Sequence, residues 1–320
     1  MISNRLKKIL LTIVIPSFNE AECLKGFLSQ LLNVTQQYGW KIIVINDAST
    51  DQTDEVLHSF GNTIMVLKND PNLGYGASLK RGILAASTPW VACMDADGQH
   101  RIEDLIKMAD MLDNADAIIG ERMAASHAPI SRRPGKWLMY RVAKLLTGKD
   151  VKDLNCGLRI FRRDIVMQLF SICSDRFSFS TSTTVALLQL GFRVKFAPVL
   201  VERRMGKSSV RQVRDGLDAI LRIVRLVCLF HPLRIFLPLG IAMLCVGFLR
   251  CINDIFFVTP PHIQSSTLLL SINGLVIFFM ALLADLIAGL RRDMLFTQPS
   301  KTNFSGAEIY DRKLSEGEEK

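Results

Sequence analysis

No CxxC pair occurs anywhere in this chain, and its seven cysteines, Cys23, Cys93, Cys156, Cys173, Cys228, Cys245 and Cys251, are scattered and odd in number. A zinc ribbon or a disulfide framework is thereby excluded, and a reducing compartment suits the thiols. The segment Cys251–Thr267 contains no lysine or arginine. The glycines of NLGYG, Gly74 and Gly76, lack the spacing of a dinucleotide fingerprint and read as turn glycines. Net charge is +9, yet no familiar nucleic-acid-binding motif accompanies it, so no nucleic-acid partner is expected. Met1–Leu11 is basic and then apolar but runs straight into a strand pattern, which argues against a signal peptide.

What the chain has in excess is apolar sequence. Hydrophobic residues make up 49% and the mean hydropathy is +0.25, although charged residues, at 22%, are not scarce. The excess is concentrated in two runs, Ile235–Leu249, interrupted by Pro238 and Gly240, and Leu268–Leu290. The second is long enough to span a bilayer; the first reaches roughly 20 residues with Val227–Phe230 or with tilt. They read as a transmembrane hairpin, since buried helices of a soluble core normally show a polar face. Arg211, Arg214, Arg222, Arg225 and Arg234 precede the first run, and Arg291 and Arg292 follow the second. The positive-inside rule therefore puts both flanks in the cytoplasm and the hairpin tip outside. The expectation is a multi-pass protein of the cytoplasmic (inner) membrane, with the rest of the chain facing the cytosol.

That remainder alternates short β-rich runs with helical spacing. Strands are expected at Leu11–Pro16, Lys41–Ile45, Thr63–Leu67, Trp90–Met94 and Ala115–Ile119. Helices are expected at Glu20–Leu32 (apolar at Cys23, Leu24, Phe27, Leu28 and Leu31), from about Ser49–Asp51, at Gly76–Ala86 and at Ile102–Leu112. Such alternation predicts an α/β fold with a mostly parallel sheet covered on both faces. Ligands in such sheets lie outside the carboxyl ends of the strands. Here those ends read PSFNE, NDASTD, KNDPNLGYG and DADGQH, all polar and rich in Asp, Asn or Gly.

The last of these places Asp95 and Asp97 one residue apart at the end of a strand. Two close carboxylates become favourable when a hard divalent cation bridges them, and oxygen ligands suit Mg²⁺ or Mn²⁺. Gln99 adds a neutral oxygen. A Mg²⁺ ion held by one or two carboxylates usually completes its shell with substrate phosphates, so the stretch reads as a metal clamping a nucleotide diphosphate. The alternative is a polar strand-to-helix turn with Asp97 or Gly98 as cap.

IVIPSFNE, IVINDASTD, NLGYGASLKRGILAA and MDADGQH, in this order, resemble the family 2 glycosyltransferases of GT-A fold. VKDLNCGLRIFRRD and VERRMGKSSV, followed by the two-span tail, are similar to one branch, the polyprenyl-phosphate or dolichol-phosphate mannose synthase-like enzymes. The resemblance covers about Thr12–Leu290. It implies inverting transfer of one sugar from a UDP- or GDP-sugar to a polyprenyl phosphate, undecaprenyl or dolichyl. Carried over position by position, Pro16, Phe18 and Glu20 match the nucleotide-contacting motif, with Phe18 where a tyrosine is common. Asp47 matches the aspartate that reads the base, Asp51 closes that motif, and Asn46 departs from the usual acidic pair. Asp95 and Asp97 match the metal and diphosphate pair and Gln99 the extra ligand. Turn and cap chemistry is the structural alternative for Asp47 and Asp51, and a helix-dipole carboxylate for Glu20.

The acceptor, an anion, should be met by cations. The resemblance assigns its phosphate to Arg122, to Arg132 and Lys136 in ISRRPGK, and to Arg204 and Lys207 in ERRMGK; Arg133 and Arg203 read equally as headgroup contacts. Asp97, Arg122, Arg132 and Arg204 are the expected catalytic set. A phosphate monoester is largely ionised at neutral pH, its second pKa being about 6, so no general base is required. A hydroxyl acceptor would need one, and Asp153 is then the candidate. A processive polysaccharide synthase lacks support, because no QxxRW segment is present. A non-catalytic nucleotide-sugar-binding membrane subunit would tolerate loss of the Asp pair, which is intact. The expected organisation is a catalytic domain over residues 1–206 and an amphipathic helix lying on the bilayer over 207–230. The hairpin over 231–294 and a polar, disordered tail over 295–320 complete it. A homo-oligomer is compatible with these features, and the sugar, the base and the lipid length are left open.

Overall fold

The computed structural model describes residues 2–123, 144, 148, 152–176, 178–202, 232–257 and 262–297. They fall into two compact units, divided near position 220. In the first, seven strands form one sheet: β1 Leu11–Ser17, β2 Lys41–Asp47, β3 Met65–Asn69, β4 Trp90–Cys93, β5 Ala117–Arg122, β6 Arg159–Arg162 and β7 Val194–Val199. Their order across the sheet is β3-β2-β1-β4-β6-β5-β7. All neighbours are parallel except β6, which runs antiparallel between β4 and β5. The expected mostly parallel α/β sheet is therefore present, with one reversed strand and β7 beyond those expected.

The central strands β1, β2, β4 and β6 are buried along nearly their whole length, as in β1, where every residue is buried, whereas the edge strand β3 is largely exposed. Ala21–Tyr38 forms helix α2, which buries Cys23, Leu24, Phe27, Leu28 and Leu31, the face its 3.6-residue period marks, and ends at Gly39 with φ 72°. (Helix α1 is the short Ile2–Leu6 before β1.) Helices α3 Thr53–His58, α4 Tyr75–Ala85 and α5 Ile102–Asp110 follow β2, β3 and β4, and α6 Arg163–Gln168 and α7 Phe179–Gln189 follow β6. The third strand starts two residues later than expected, because Gly61–Thr63 forms a 3₁₀ turn. The fifth runs on to Arg122, because its pairing with β7 extends to Arg122 opposite Val199.

The second unit is an antiparallel pair, α8 Leu233–Phe256 and α9 Ser265–Thr297, in close contact. Mean hydropathies of 2.2 and 2.3 over their most apolar stretches make both long and apolar enough to cross a membrane. Small or polar residues recur every seven positions on each: Gly240, Gly247 and Asp254 on α8, and Thr267, Gly274, Ala281 and Ala288 on α9, all buried. Seven-residue repeats keep one seam facing its partner, and small residues let apolar helices approach closely. A Cβ on Gly247 would sit 2.5 Å from Ser271 Oγ, and one on Gly274 3.0 Å from Leu244. At the turn, Asp254 accepts hydrogen bonds from Gln264 N (3.0 Å) and Thr267 Oγ1 (2.6 Å), which ties the end of α8 to the start of α9.

Candidate active site

The carboxyl ends of β1, β2 and β4 open onto one cavity of about 430 Å³. It is lined by Pro16, Ser17, Phe18 and Glu20, by Asp47, Asn72, Gly74 and Tyr75, by Asp95, Ala96 and Asp97, and by Asn155, Gly157 and Ser180. The sequence-derived residues Pro16, Phe18, Glu20, Asp47, Asp95 and Asp97 are thus gathered at one place.

The loops after β1 and β2 interlock. Asn19, at φ 56°, donates its backbone N–H to Ser49 Oγ (3.0 Å) and accepts from Thr50 N at its side chain (2.8 Å). Asp51 accepts from Ala21 N (3.2 Å), Thr53 N (3.0 Å) and Thr53 Oγ1 (2.5 Å), so it satisfies the exposed amides where α2 and α3 begin. Asn46 bonds Asp54 and Ser49. Between these turns Phe18 is left 48% exposed, an aromatic face at the cavity wall.

Asp47 is buried and its carboxylate is heavily used. It accepts from Asn69 Nδ2 (2.7 Å), Leu73 N (2.9 Å) and Gly74 N (2.9 Å), which folds the Asn69–Gly74 loop back over β2. A carboxylate offers about four acceptor positions, so at most one of Asp47's remains for a ligand. Gly74 takes φ 96°, while Gly76 is required for another reason: a Cβ there would lie 2.3 Å from Ser174 O.

On the other side of the cavity, Asp95 accepts from Tyr75 OH (2.8 Å) and lies 3.6 Å from His100 Nε2. Burial opposes its ionisation. The neighbouring His100 imidazole, the Tyr75 hydroxyl and the Arg159 guanidinium outweigh that and hold the carboxyl below its ordinary value. Asp97 accepts from Gln99 N (3.1 Å) around Gly98, at φ 69°. Gln99 Nε2 donates to Glu202 O (3.2 Å), and His100 bridges to Val201, so the DADGQH turn is fastened to the chain after β7. Gly157 packs against Asp95 so closely that a Cβ there would fall 2.0 Å from Oδ2.

Of the expected acceptor cations, Arg122 is described. Its guanidinium forks onto Asp153, Nε to Oδ2 at 2.7 Å and Nη2 to Oδ1 at 3.0 Å, and Asn155 N adds a third bond to the same carboxylate (2.9 Å). Burial opposes the charge on Asp153, but the Arg122 bonds and charge hold its carboxyl below the ordinary range. Arg122 does not itself line the cavity. Arg132, Arg133, Lys136, Arg203, Arg204 and Lys207 lie outside the described residues, as does the segment 207–230. Tyr75, Asn155, Gly157, Arg159 and Ser180 were not singled out from the sequence, although three of them stand in the DLNCGLR motif.

A strand-ordered sheet with carboxylates at the ends of β2 and β4 defines the GT-A glycosyltransferase architecture. Glucosyl-3-phosphoglycerate synthase from Mycobacterium tuberculosis, solved with Mn²⁺, UDP and phosphoglyceric acid, shares it with a TM-score of 0.59 over 71% of this chain and 81% of that one, at 13% identity. The chain belongs to glycosyl transferase family 2, whose profile residues 12–170 match. Residues 231–290 match the GtrB C-terminal hairpin. An uncharacterized glycosyltransferase of Mycobacterium bovis is 32% identical over 215 residues, 66% of this chain and 94% of the relative. The dolichyl-phosphate hexose transferase of Haloferax volcanii is 26% identical over 70% of this chain and 96% of its own length. The undecaprenyl-phosphate mannosyltransferase of Micrococcus luteus is 27% identical over 66% and 91%.

Proposed function

We propose that this glycosyltransferase is a membrane-anchored, inverting enzyme that moves one sugar from a UDP- or GDP-sugar to a polyprenyl phosphate. The relatives named for dolichyl and undecaprenyl phosphate, together with the GtrB-type hairpin, support the acceptor class. The observation that carries the reading is the Arg122–Asp153 fork. Asp153, the carboxylate the sequence offers a hydroxyl acceptor as base, is already spent on a guanidinium, and its lowered pKa makes it a weak one. An ionised phosphate needs no such base. Its oxygen attacks the anomeric carbon as the bond to the nucleotide diphosphate breaks, and the chain's part is to align the two anions and offset their repulsion. Arg122, Arg132, Lys136, Arg204 and Lys207 are assigned that work on the acceptor side.

On the donor side Phe18 offers a stacking face, Glu20 and the remaining acceptor position of Asp47 take nucleoside donors, and Pro16 shapes the wall. The donor set at Asp95 and Asp97 fits Mg²⁺ or Mn²⁺: both are hard carboxylates on one turn, and Gln99 turns its amide nitrogen to Glu202, leaving the oxygen end for a cation. Among the described residues no cluster of three or more His, Cys, Asp or Glu forms a complete cage, so the diphosphate and water would fill the rest of the shell. When bound, such an ion neutralises charge on the departing diphosphate. The hairpin is assigned to the cytoplasmic membrane as a multi-pass anchor with the catalytic unit in the cytosol. Residues 1–206, 207–230, 231–294 and 295–320 are assigned as catalytic domain, interface helix, hairpin and tail.

The test is transfer by the full chain in detergent, with undecaprenyl phosphate and a panel of UDP- and GDP-sugars, products identified by mass. One glycosylated lipid phosphate should form, and excess chelator should abolish it. Equal transfer to free undecaprenol, or none to the phosphate with any donor, overturns the reading.

A further inference from the structure

The order of the strands sorts the cavity from end to end. Asp47 ends β2, Phe18 follows β1, Asp95 and Asp97 follow β4, and Asn155 and Gly157 precede β6, which is the next strand across. A nucleoside at the β2 and β1 end and a diphosphate at the β4 turn leave the β6 end for the sugar. The wall there is Asn155, Gly157 and Ser180, and Gly157 brings only backbone. We propose that Asn155 is the residue that selects the sugar of the donor, hydrogen-bonding through its amide nitrogen to a sugar hydroxyl oxygen. This rests on the donor half of the function proposed above.

Two features make Asn155 a built element and not an incidental surface amide. The first is its orientation. In α7, Ser182, Thr183 and Thr184 all return their hydroxyls to the helix's own carbonyls four residues back, at 2.8, 2.8 and 2.9 Å. Thr181 differs: its hydroxyl donates to Asn155 Oδ1 at 2.6 Å. That bond occupies the amide oxygen and fixes the NH₂ as the end available to a ligand, a donor that pairs with the oxygen of a hydroxyl. Asn155 itself is exposed while Thr181 is buried, so the buried residue serves to aim the exposed one.

The second is the frame. Arg159 is fully buried, and its guanidinium collects the carbonyls on both sides of Asn155: Leu154 O at 2.8 Å and Cys156 O at 2.6 Å. The same group holds Ser180 O at 2.5 Å and Thr184 Oγ1 at 2.8 Å. One side chain thereby sets the spacing between the Asn155 loop and the start of α7, the two sides of the wall. A site built around a hydroxyl partner discriminates epimers, because the wrong epimer leaves the polar group unpaired.

Binding measures this without any lipid acceptor. Titrate the full chain in detergent and Mn²⁺ with UDP- and GDP-hexoses differing in one hydroxyl, and with UDP and GDP alone. The wild type should prefer one epimer. Asn155→Ala should weaken that donor roughly three- to tenfold and narrow the gap to its epimers, the size of one neutral hydrogen bond, while bare UDP or GDP binds unchanged. Thr181→Val, which keeps Asn155 but frees its amide to turn, should narrow the same gap by less. A wild type that does not discriminate epimers, or variants that keep the wild-type ratio, overturn the inference. So does an equal loss for bare nucleotide, which would mark a merely structural loop. Loss of lipid transfer with epimer selection intact would instead count against the acceptor assignment.

Discussion

Replacing Gly157 by alanine puts a single methyl group against the proposed metal-binding carboxylate. The new Cβ would lie 2.0 Å from Asp95 Oδ2, 2.6 Å from its Cγ and 2.8 Å from Oδ1, whereas ordinary contact begins near 3.4 Å. Asp95 must therefore retreat by well over an ångström, away from the position set by Tyr75 OH at 2.8 Å. Gly157 is not at positive φ, so the backbone itself accepts alanine. Overpacking of this kind costs about 1–3 kcal/mol of stability, which leaves a folded protein. Misplacing a reacting or binding group by about 1 Å costs on the order of 100-fold in rate. Gly157→Ala should accordingly melt slightly lower, lose Mn²⁺-dependent nucleotide binding and lose about 100-fold in transfer. Gly26→Ala is the control: nothing lies within 4 Å of a Cβ there, and it sits inside α2, so it should be neutral or gain about 0.5–1 kcal/mol. Calorimetric titration with UDP or GDP, with Mn²⁺ and with chelator, reads the effect. A folded Gly157→Ala protein with wild-type metal-dependent affinity would refute the assignment of Asp95.

What the sequence made legible was local. Cys23, Leu24, Phe27, Leu28 and Leu31 mark their buried face because a helix repeats every 3.6 residues, and the polar strand ends mark the site because parallel sheets place ligands there. The two apolar runs were legible from length alone, though not the seven-residue seam that Gly240, Gly247 and Asp254 form with Thr267, Gly274, Ala281 and Ala288. Strand β6 carries no such signal: Arg159 and Arg162 at its ends look like surface residues, and only burial distinguishes them, Arg159 being enclosed. Asp153 and Arg122 could each be named as candidates, but their fork joins residues 31 apart, and no periodicity encodes it. Asp47 shows the reverse. Its motif suggests a ligand contact, while most of its carboxylate is engaged by the loop 22 to 27 residues later. Properties carried by period and spacing could be read; those carried by long-range packing of one polar group on another could not.

Two further tests address stability and the acceptor. Asp116 accepts from Arg193 N (2.9 Å), Nε (3.1 Å) and Nη2 (3.1 Å), and that hydrogen bonding holds its carboxyl below the ordinary value. A lowered folded pKa gives stability that is present above the unfolded value of about 3.9 and is lost as pH falls through the folded one. The melting temperature should therefore drop below about pH 4, and Asp116→Asn, though less stable at pH 7, should drop less; parallel curves would exclude this pair as the cause. The last test separates phosphate from hydroxyl acceptors. Arg122 donates two side-chain bonds to Asp153, so Arg122→Ala removes a proposed phosphate contact and also frees the carboxylate. If the acceptor is a lipid phosphate, Arg122→Ala should lose roughly tenfold to over a hundredfold in transfer, the 1.5–3 kcal/mol of a charge-assisted contact. Donor affinity should hold, because Phe18, Asp95 and Asp97 are untouched. Asp153→Asn can still accept from Arg122 at its amide oxygen, so the folded variant should keep most of its activity. If the acceptor were a hydroxyl and Asp153 its base, Asp153→Asn would be the inactive one, and Arg122→Ala, having released a stronger base, would retain transfer. The two readings thus predict opposite rankings of two variants, measured in one assay.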